Sequence, residues 1–240
     1  TYSLLGDDLQ RRNRISLTTS WEASLLGFDR IEALLYGQDS ETRQDTEQFR
    51  LADRATPFES LRWRRFDFTQ RDLGLDLLGM RSFSTGAAAH ELLAGLELER
   101  TRYKGQRDGI ETNLRTGSSS TVVLGERFPV RDFPTSVGER RALFVQDQIT
   151  LGRFALIPGL RYDQYRLDAR PDAMFVEDYP EFEVVDGSED SLTGKLGLRF
   201  AATEDSQLFL QYARGFRAPP FSDLNIGLSL TLLNYEVRPN

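Results

Sequence analysis

Residues 191–201 read Ser-Leu-Thr-Gly-Lys-Leu-Gly-Leu-Arg-Phe-Ala. Leu192, Leu196, Leu198 and Phe200 alternate with polar or small residues, so all four leave an extended strand on the same side. A helix would scatter these side chains around its circumference. The stretch therefore predicts a β-strand that has one apolar face and one polar face.

The same two-residue period recurs in seven further stretches of the chain. They are residues 13–23, 29–38, 71–83, 90–100, 141–151, 153–165 and 208–212. The period is less regular in the second and fifth of these. In the fifth, for example, Asp147 falls on the same side as Val145 and Ile149. Together the eight stretches predict a sheet in which each strand has one apolar side.

The connections between these stretches alternate in length along the chain. Short, turn-like links fall at residues 25–29, 84–87, 152 and 203–206, and long polar links at 42–60, 105–139, 171–190 and after 217. Membrane-spanning β-barrels have short turns on one side and long loops on the other, whereas soluble sandwiches have no reason to separate them. The predicted fold class is therefore all-β, an antiparallel up-and-down meander of about eight long strands. Residues 46–50 and 59–70 are predicted to extend two strands above the membrane, and residues 2–10 to be part of a loop.

Composition excludes several classes of function. The chain of 240 residues has 30 Lys and Arg against 37 Asp and Glu, a net charge of −7, one His and no Cys. It therefore has no disulfide framework, no Cys nucleophile and no multi-His metal site. The acidic balance argues against nucleic acid as a partner. Mean hydropathy is only −0.45, but alternating strands cancel their own hydropathy, so the value is compatible with a membrane barrel.

Residues 212–220 read Tyr-Ala-Arg-Gly-Phe-Arg-Ala-Pro-Pro, which resembles the Phe-Arg-Ala-Pro box of TonB-dependent haem and haemoglobin receptors. In that family an Asn-Pro-Asn-Leu box follows across one extracellular loop, and Pro239-Asn240 resembles its start. Residues 144–149 and 158–163 are similar to a strand pair found widely among TonB-dependent receptors.

The resemblance implies a fold, a location and partners. The fold is an arc of a 22-stranded transmembrane β-barrel, with residues 1–240 forming a partial barrel domain that includes no plug domain and no signal peptide. The location is the Gram-negative outer membrane, in contact with lipid and lipopolysaccharide. The partners are haem or a haemoprotein as the imported ligand, and the TonB complex, which engages a region N-terminal to this stretch. Haem enters as a transported ligand, and no prosthetic group is expected.

The same resemblance implies a substrate site, with no catalytic and no metal-binding residue. Its members are Phe216, Arg217, Ala218, Pro219, Tyr235 and Asn240. The Arg217 guanidinium is available to a haem propionate, although the residue also fits a structural corner that ends a strand. Residues 221–238 contain no His, so Tyr235 is the only side chain there that offers an axial oxygen ligand to iron. An aromatic residue at the extracellular rim of the barrel is the preferred interpretation of Tyr235.

Two alternatives remain open at this point. A ferric-siderophore receptor has the same architecture. An outer-membrane barrel enzyme would need a Ser/His/acid or paired-acid site on the wall. The only His, His90, begins a strand beside a short turn on the predicted lipid-facing side, and no carboxylate partner for it is identified. His90 is therefore interpreted as structural, and no enzymatic activity is expected.

Two runs of basic residues fall at predicted extracellular strand ends. These are residues 11–14 and 62–65. Guanidinium groups bind phosphate in a bidentate manner, so the runs are candidates for contact with lipopolysaccharide. Ordinary solvation at the rim explains them equally well.

Overall fold

The computed structural model describes residues 2–22, 27–217, 225, 228–230 and 235–237. In chain order its elements are β1 (Ser3–Trp21), β2 (Arg30–Arg50), β3 (Ser60–Thr85), β4 (Ala88–Asn113), β5 (Ser119–Ser120), β6 (Val122–Val123), β7 (Glu126–Arg127), β8 (Thr135–Leu151), β9 (Phe154–Arg170), α1 (Ala173–Asp178), β10 (Gly187–Ala201), β11 (Gln207–Ala213), β12 (Leu228–Leu230) and β13 (Tyr235–Val237). Among these described residues, no helix is long and apolar enough to cross a membrane.

The eight long strands form one antiparallel sheet in the order β1-β2-β3-β4-β8-β9-β10-β11. Each long strand pairs with the long strands before and after it in the chain, so the predicted up-and-down meander is confirmed. The short strand β5 pairs with β4, while β6 with β7 and β12 with β13 form separate two-stranded ribbons. Short connections at residues 86–87 and 152–153 alternate with long ones at 114–134 and 171–186.

The sheet has two chemically different faces. We call the face that carries Leu73 and Leu75 the apolar face, and the face that carries Asp72 and Asp76 the polar face. Large side chains on the apolar face are exposed: Ile15 by 84% and Leu192 by 65%. On β3 the apolar face runs from Leu73 to Phe83. In strands tilted as in a barrel, this length corresponds to a band about 25 Å tall, which is the thickness of the apolar belt of an outer-membrane barrel. We call this band the membrane band.

Several strands extend far beyond that band. Strands β3 and β4 have 26 residues each, about 85 Å of extended chain. The predicted extensions at residues 46–50 and 59–70 are confirmed. The prediction that residues 2–10 belong to a loop is wrong, because β1 begins at Ser3, whose backbone partner is Phe49 on β2. Both faces are polar at that height, so the two-residue period disappears although backbone pairing continues.

The buried core lies above the membrane band. The loop at residues 114–134 folds over the polar face, where Val123, Phe128 and Val130 form an apolar cluster with Tyr179 packed against it. The ring of Phe128, which belongs to this loop, packs so close to Gly109 of β4 that a Cβ there would lie 3.0 Å from its Cδ2 atom. The glycine therefore lets the loop approach the strand closely.

Candidate functional site

At the height of the membrane band, the polar face is organised around Arg161 on β9. Its guanidinium donates to Glu97 on β4, with Nη2–Oε2 at 2.6 Å, and to Asp163, with Nε–Oδ2 at 2.9 Å. Between the two strands, β8 contributes only the small side chain of Ala142 to the row that holds Glu97 and Asp163. The Arg161 side chain can therefore reach across a strand and fix two carboxylates at once.

A second polar centre joins three neighbouring strands. The carboxylate of Asp72 on β3 accepts hydrogen bonds from Gln38 of β2 at 3.0 Å, from Gln70 at 2.9 Å and from Thr101 of β4 at 2.9 Å. An ionised carboxylate only accepts hydrogen bonds, and three donors satisfy most of its lone pairs. This cluster is consequently a rigid part of the wall with little capacity left for a ligand.

A third centre lies between the first two, and here Tyr36 of β2 donates to Glu99 at 2.7 Å. The guanidinium of Arg14 on β1 stands 4.0 Å from the centroid of the Tyr36 ring. The ring itself lies across Gly74, so that a Cβ at this position would fall 2.3 Å from Tyr36 Cζ. Glycine is required there by the close approach of the ring.

Replacing Gly74 by Ala is expected to lower the free energy of unfolding of the barrel by about 1–3 kcal/mol, because the Tyr36 ring must move and lose its bond to Glu99. Replacing Gly37 by Ala is the matched control, since its Cβ would meet nothing closer than 4.0 Å. We expect it to change stability by less than about 1 kcal/mol. Urea unfolding of the intact protein in detergent measures both free energies, and equal losses in the two variants would contradict the role of the ring.

Above the membrane band, Arg107 of β4 holds the loop at residues 114–134. Its guanidinium donates to Asp132 and to Glu126, with the shortest distances at 2.6 Å in both cases. Its backbone N–H and C=O also pair with Val130 at 2.8 and 2.9 Å. Burial alone would lower the pKa of Arg107, but the bonds to the two carboxylates outweigh burial and raise it.

The next long loop is attached through Arg131. This side chain is almost fully buried; it donates to Asp172 at 2.7 Å and to the carbonyl oxygen of Gly105 at 2.7 Å. Asp172 in turn caps α1 by accepting from Phe175 N–H. The backbone N–H of Arg131 donates to Asp178, whose pKa is raised chiefly by burial. The loops at 114–134 and 171–186 thus form one ordered layer on the polar face.

The predicted substrate residues lie beyond the end of β11. Phe216 is half-buried and Arg217 is exposed, and the last backbone bond to β10 before them joins Arg214 N–H to Gly194 O at 3.0 Å. Ala218, Pro219 and Asn240 lie outside the described residues. Tyr235 begins β13 and its backbone pairs with Leu230. Their assignment as substrate-binding residues stays a prediction.

Asn225 ties the chain after β11 to the loop before β10. Its side chain is 1% exposed. Its Oδ1 accepts from Val185 N–H at 2.8 Å, and its Nδ2 donates to Val185 O at 2.7 Å. A carboxamide that bonds to both the N–H and the C=O of one residue imitates a backbone bridge.

The two basic runs are divided by the sheet. Alternate residues of a strand face opposite sides, so Arg12 and Arg14 lie on the polar face, whereas Arg11 lies on the opposite one. In the second run, Arg62 is buried and donates to Glu111 at 2.9 Å, and burial lowers its pKa despite that pair. Arg65 donates to Asp45. Each run has three arginines, which the strand divides between its two faces. Their interpretation as lipopolysaccharide contacts stays a prediction.

His90 lies on the apolar face as predicted, but the expectation that it has no carboxylate partner is wrong. Its Nδ1 is 2.7 Å from Asp147 on β8, its Nε2 is 2.7 Å from the hydroxyl of Thr85, and its ring stacks on Phe83. These contacts satisfy both ring nitrogens on a face where unpaired polar groups are costly. The signal was available in the sequence, since Asp147 was already placed on the apolar side.

The residues that organise the polar face were not predicted as a site. Arg161 and Glu97 are 64 residues apart, and Asn225 and Val185 are 40 apart. Strand register brings Arg161 and Glu97 together, and the contact of two loop segments brings Asn225 to Val185. Periodicity alone supplies neither. The one local signal is a glycine opposite an aromatic residue, as with Gly74 and Tyr36.

A family model described as TonB dependent receptor-like, beta-barrel matches residues 1–237. The chain belongs to this family. The family match supports the fold and the receptor class, and the finer assignment to haem receptors stays a prediction. No curated protein matches the chain in sequence.

Solved structures of a copper transporter and of a receptor and a transporter for ferric complexes have the same fold. The copper transporter OprC has a TM-score of 0.60 and 15% identity, covering 90% of this chain and 31% of its own. BauA, the ferric preacinetobactin receptor from Acinetobacter baumannii, has a TM-score of 0.55 and 13% identity, and the match covers 86% of this chain and 30% of BauA. The ferric citrate transporter FecA has a TM-score of 0.54 and 15% identity, and the match covers 85% of this chain and 27% of FecA. The chain thus spans about a third or less of the length of these structures.

Proposed function

We propose that the chain forms part of the wall of an outer-membrane TonB-dependent receptor that imports an anionic ferric siderophore. The observation that carries the transport class is the two-faced sheet, with an apolar face as tall as a bilayer and a polar face covered by folded loops. An apolar outside and a polar inside are what a membrane barrel with an aqueous or plugged lumen requires. Energy would come from the TonB complex.

The substrate class is argued from the guanidinium groups of the polar face. Arg12 and Arg14 are exposed on β1, and within the described part of the chain neither makes an ion pair with a carboxylate. By contrast, Arg161 and Arg107 on the same face each form ion pairs with two carboxylates. Two cations that form no salt bridge among the described residues, at the height where the loops begin, favour a negatively charged ligand. Ferric complexes with carboxylate or catecholate groups have that charge.

Haem is the second candidate, and one feature favours it. Residues 212–220 resemble the Phe-Arg-Ala-Pro box, and the exposed Arg217 follows the last described pairing of β11, where it is available to a propionate. Haem iron would need an axial ligand, for which the loop offers Tyr235. The ferric-siderophore proposal is preferred because it needs no such ligand from residues 221–238.

The test uses the intact receptor in a Gram-negative host that lacks its own iron receptors. Ferric citrate, ferric preacinetobactin, a ferric catecholate and haemin are supplied singly as the iron source, with and without TonB. We expect TonB-dependent growth on a ferric siderophore, and binding of that complex weakened about tenfold or more in R12Q/R14Q, since charge-assisted hydrogen bonds are lost.

The control variant is R54Q/R115Q, which removes two exposed arginines from loops. It should bind like the wild type. Growth on haemin alone, abolished by R217A, would overturn the siderophore proposal in favour of haem. No growth on any of the four iron sources would overturn iron import.

A further inference from the structure

Two arginines lie close together on the polar face, at the ends of β2 and β3 that are farthest from the membrane band. We call Arg50 and Arg62 the arginine pair. Arg50 is directly opposite Ser60, and Arg62 is opposite Gln48. Because Arg62 follows Ser60 by two residues, the two arginines are diagonal neighbours on one face, about 7–8 Å apart and within reach of each other's long side chains. The strand register thus brings two like charges together.

The arginine pair is buried against the loop at residues 51–59, which joins β2 to β3. The side chain of Arg62 is 3% exposed and that of Arg50 is 13% exposed. The loop closes on itself, because Asp53 N–H donates to Thr56 O at 2.8 Å and Asp53 Oδ1 accepts from Thr56 N–H at 2.8 Å. A buried charge is costly unless its hydrogen bonds are complete.

Each arginine of the pair has one buried N–H group for which no described residue is an acceptor. Arg62 donates through Nη2 to Glu111 at 2.9 Å and to Thr56 at 3.4 Å, whereas its Nε has no acceptor. Arg50 donates through Nη2 to Asp53, whereas its Nη1 has no acceptor. Buried donors of charged groups that lack an acceptor cost free energy. The two N–H groups therefore point to an anionic acceptor between the arginines.

The carboxylates next to the arginine pair are already engaged. Glu111 Oε1 accepts from Ser60 at 2.7 Å as well as from Arg62, and Asp53 Oδ1 accepts from the backbone of its own loop. Arg64 follows Arg62 by two residues on the same face and forms no ion pair with a described carboxylate. Three cations thus stand against two carboxylates, which leaves one positive charge over.

The electrostatics of Arg62 show the same imbalance. Burial lowers its pKa most, and the positive charges of Arg50 and Arg64 lower it further, whereas Glu111 raises it. An additional negative charge beside the guanidinium would favour its charged form.

The surroundings of the arginine pair limit the size of the anion. An open cavity of about 400 Å³ adjoins the pair, and Thr56, Phe58, Glu111 and Leu124 are among the residues that line it. Because Thr56 and Glu111 both contact Arg62, this cavity brings small ions from solvent to within one side chain of the pair. A bulky ferric complex cannot reach two N–H groups that are buried against the loop. Two donors and one surplus charge suit a single-atom, monovalent ion.

We infer that the arginine pair binds a halide ion of the size of chloride between Arg62 Nε and Arg50 Nη1. The ion completes the hydrogen bonding of both guanidinium groups and balances the charge of Arg64. It also fastens the loop at residues 51–59 to the sheet, since Asp53 and Thr56 contact the same two guanidinium groups. The site is independent of the imported substrate and of iron import.

The experiment uses the intact protein, purified in detergent, with chloride replacing gluconate stepwise at constant ionic strength. Hydrogen exchange of the Asp53 amide, which is bonded to Thr56 O, reports opening of the loop. We expect protection to rise with chloride and to be about tenfold greater at ten times the Kd, as linkage requires. Bromide should act in the same way, and its anomalous scattering in crystals should place the ion within hydrogen-bond reach of Arg62 Nε and Arg50 Nη1.

Two variants separate the donors from the charge. R50Q removes Nη1 and should bind chloride at least about tenfold more weakly, since that factor corresponds to one charge-assisted hydrogen bond. R64Q keeps both donors and the bond between Arg50 and Asp53 but removes the surplus charge, so a loss of about fivefold is expected. R64Q also serves if R50Q fails to fold. The matched control is R54Q, which removes an exposed arginine from the same loop and should bind chloride like the wild type.

Exchange that does not respond to chloride in the wild type would overturn the inference. Unchanged chloride affinity in both R50Q and R64Q would overturn it as well. Acetate, supplied in place of chloride, tests whether a carboxylate fits the site instead, and protection by acetate but not by halides would also overturn it. Because no iron complex is present in these measurements, a protein that binds chloride but supports no growth on any iron source would overturn iron import alone.

Discussion

Replacing Arg107 by Ala is expected to cost about 3 kcal/mol in the free energy that keeps the loop at residues 114–134 closed on the polar face. The guanidinium is the only group that holds Glu126 and Asp132 together among the described residues, and it lies 5.6 Å from the centre of the Phe128 ring. Without it, two half-buried carboxylates face each other with no compensating charge. The apolar cluster around Phe128 would then open to solvent.

The measurement is hydrogen exchange of the backbone amide of Val130, which is bonded to Arg107 O at 2.9 Å. Its protection should fall by about two orders of magnitude, as 3 kcal/mol requires. R107K keeps the positive charge but lacks the planar set of N–H donors of the guanidinium, so an intermediate loss of protection is expected. R127A, an exposed position in the same loop, is the control. Unchanged protection in R107A would show that apolar packing alone holds the loop.

The fold was predictable from the sequence because lipid and water impose a strict alternation on membrane strands. Residues 191–201 were predicted as a strand, and β10 spans Gly187–Ala201. The prediction was too short above the membrane for a physical reason. On residues 40–45, for instance, polar side chains occupy both faces, so no two-residue period marks the strand. Backbone bonds to β1 and β3 and ion pairs such as Arg65–Asp45 maintain it.

The layer of folded loops was not predictable in the same way. Val123, Phe128 and Val130 are separated by polar residues and turns, so no period marks them as a core. Their burial depends on a strand extension of β4 that the sequence did not reveal, and on Arg107 at its centre. Side-chain ion pairs between distant strands were not predictable either. They depend on the strand register, because a shift by one residue would move every partner to the other face.

The substrate residues of the candidate site stay a prediction. Arg217 lies beyond the end of β11 at Ala213, and the polar face was correctly identified from alternation. The basic runs at 11–14 and 62–65 do not act as units because adjacent residues of a strand face opposite sides: Arg12 and Arg14 share the polar face, whereas Arg11 lies on the other. Alternate cations such as Arg100 and Arg102 share a face as well, and a search for contiguous runs overlooks them.

Replacing Asn225 by Asp is expected to release the chain after β11 from the loop at residues 171–186, at a cost of about 2 kcal/mol. The substitution is isosteric. Oδ1 still accepts from Val185 N–H, but the second oxygen replaces a donor and faces the carbonyl oxygen of Val185, now 2.7 Å from Nδ2. Because Asn225 is 1% exposed, water cannot compensate for the lost bond. Exchange of the Val185 amide should accelerate about thirtyfold.

The functional consequence follows from where Asn225 lies. It is the described residue that fixes the segment after Phe216 and Arg217, so loosening it should weaken binding of the imported iron complex by raising the dissociation rate while leaving the barrel folded. Asn13→Asp, at an exposed position of β1, is the control and should change neither exchange nor binding. If N225D accelerated exchange at Val185 but bound ligand like the wild type, the segment after β11 would have no part in the substrate site. The predicted contacts of Arg217 with substrate would then be wrong.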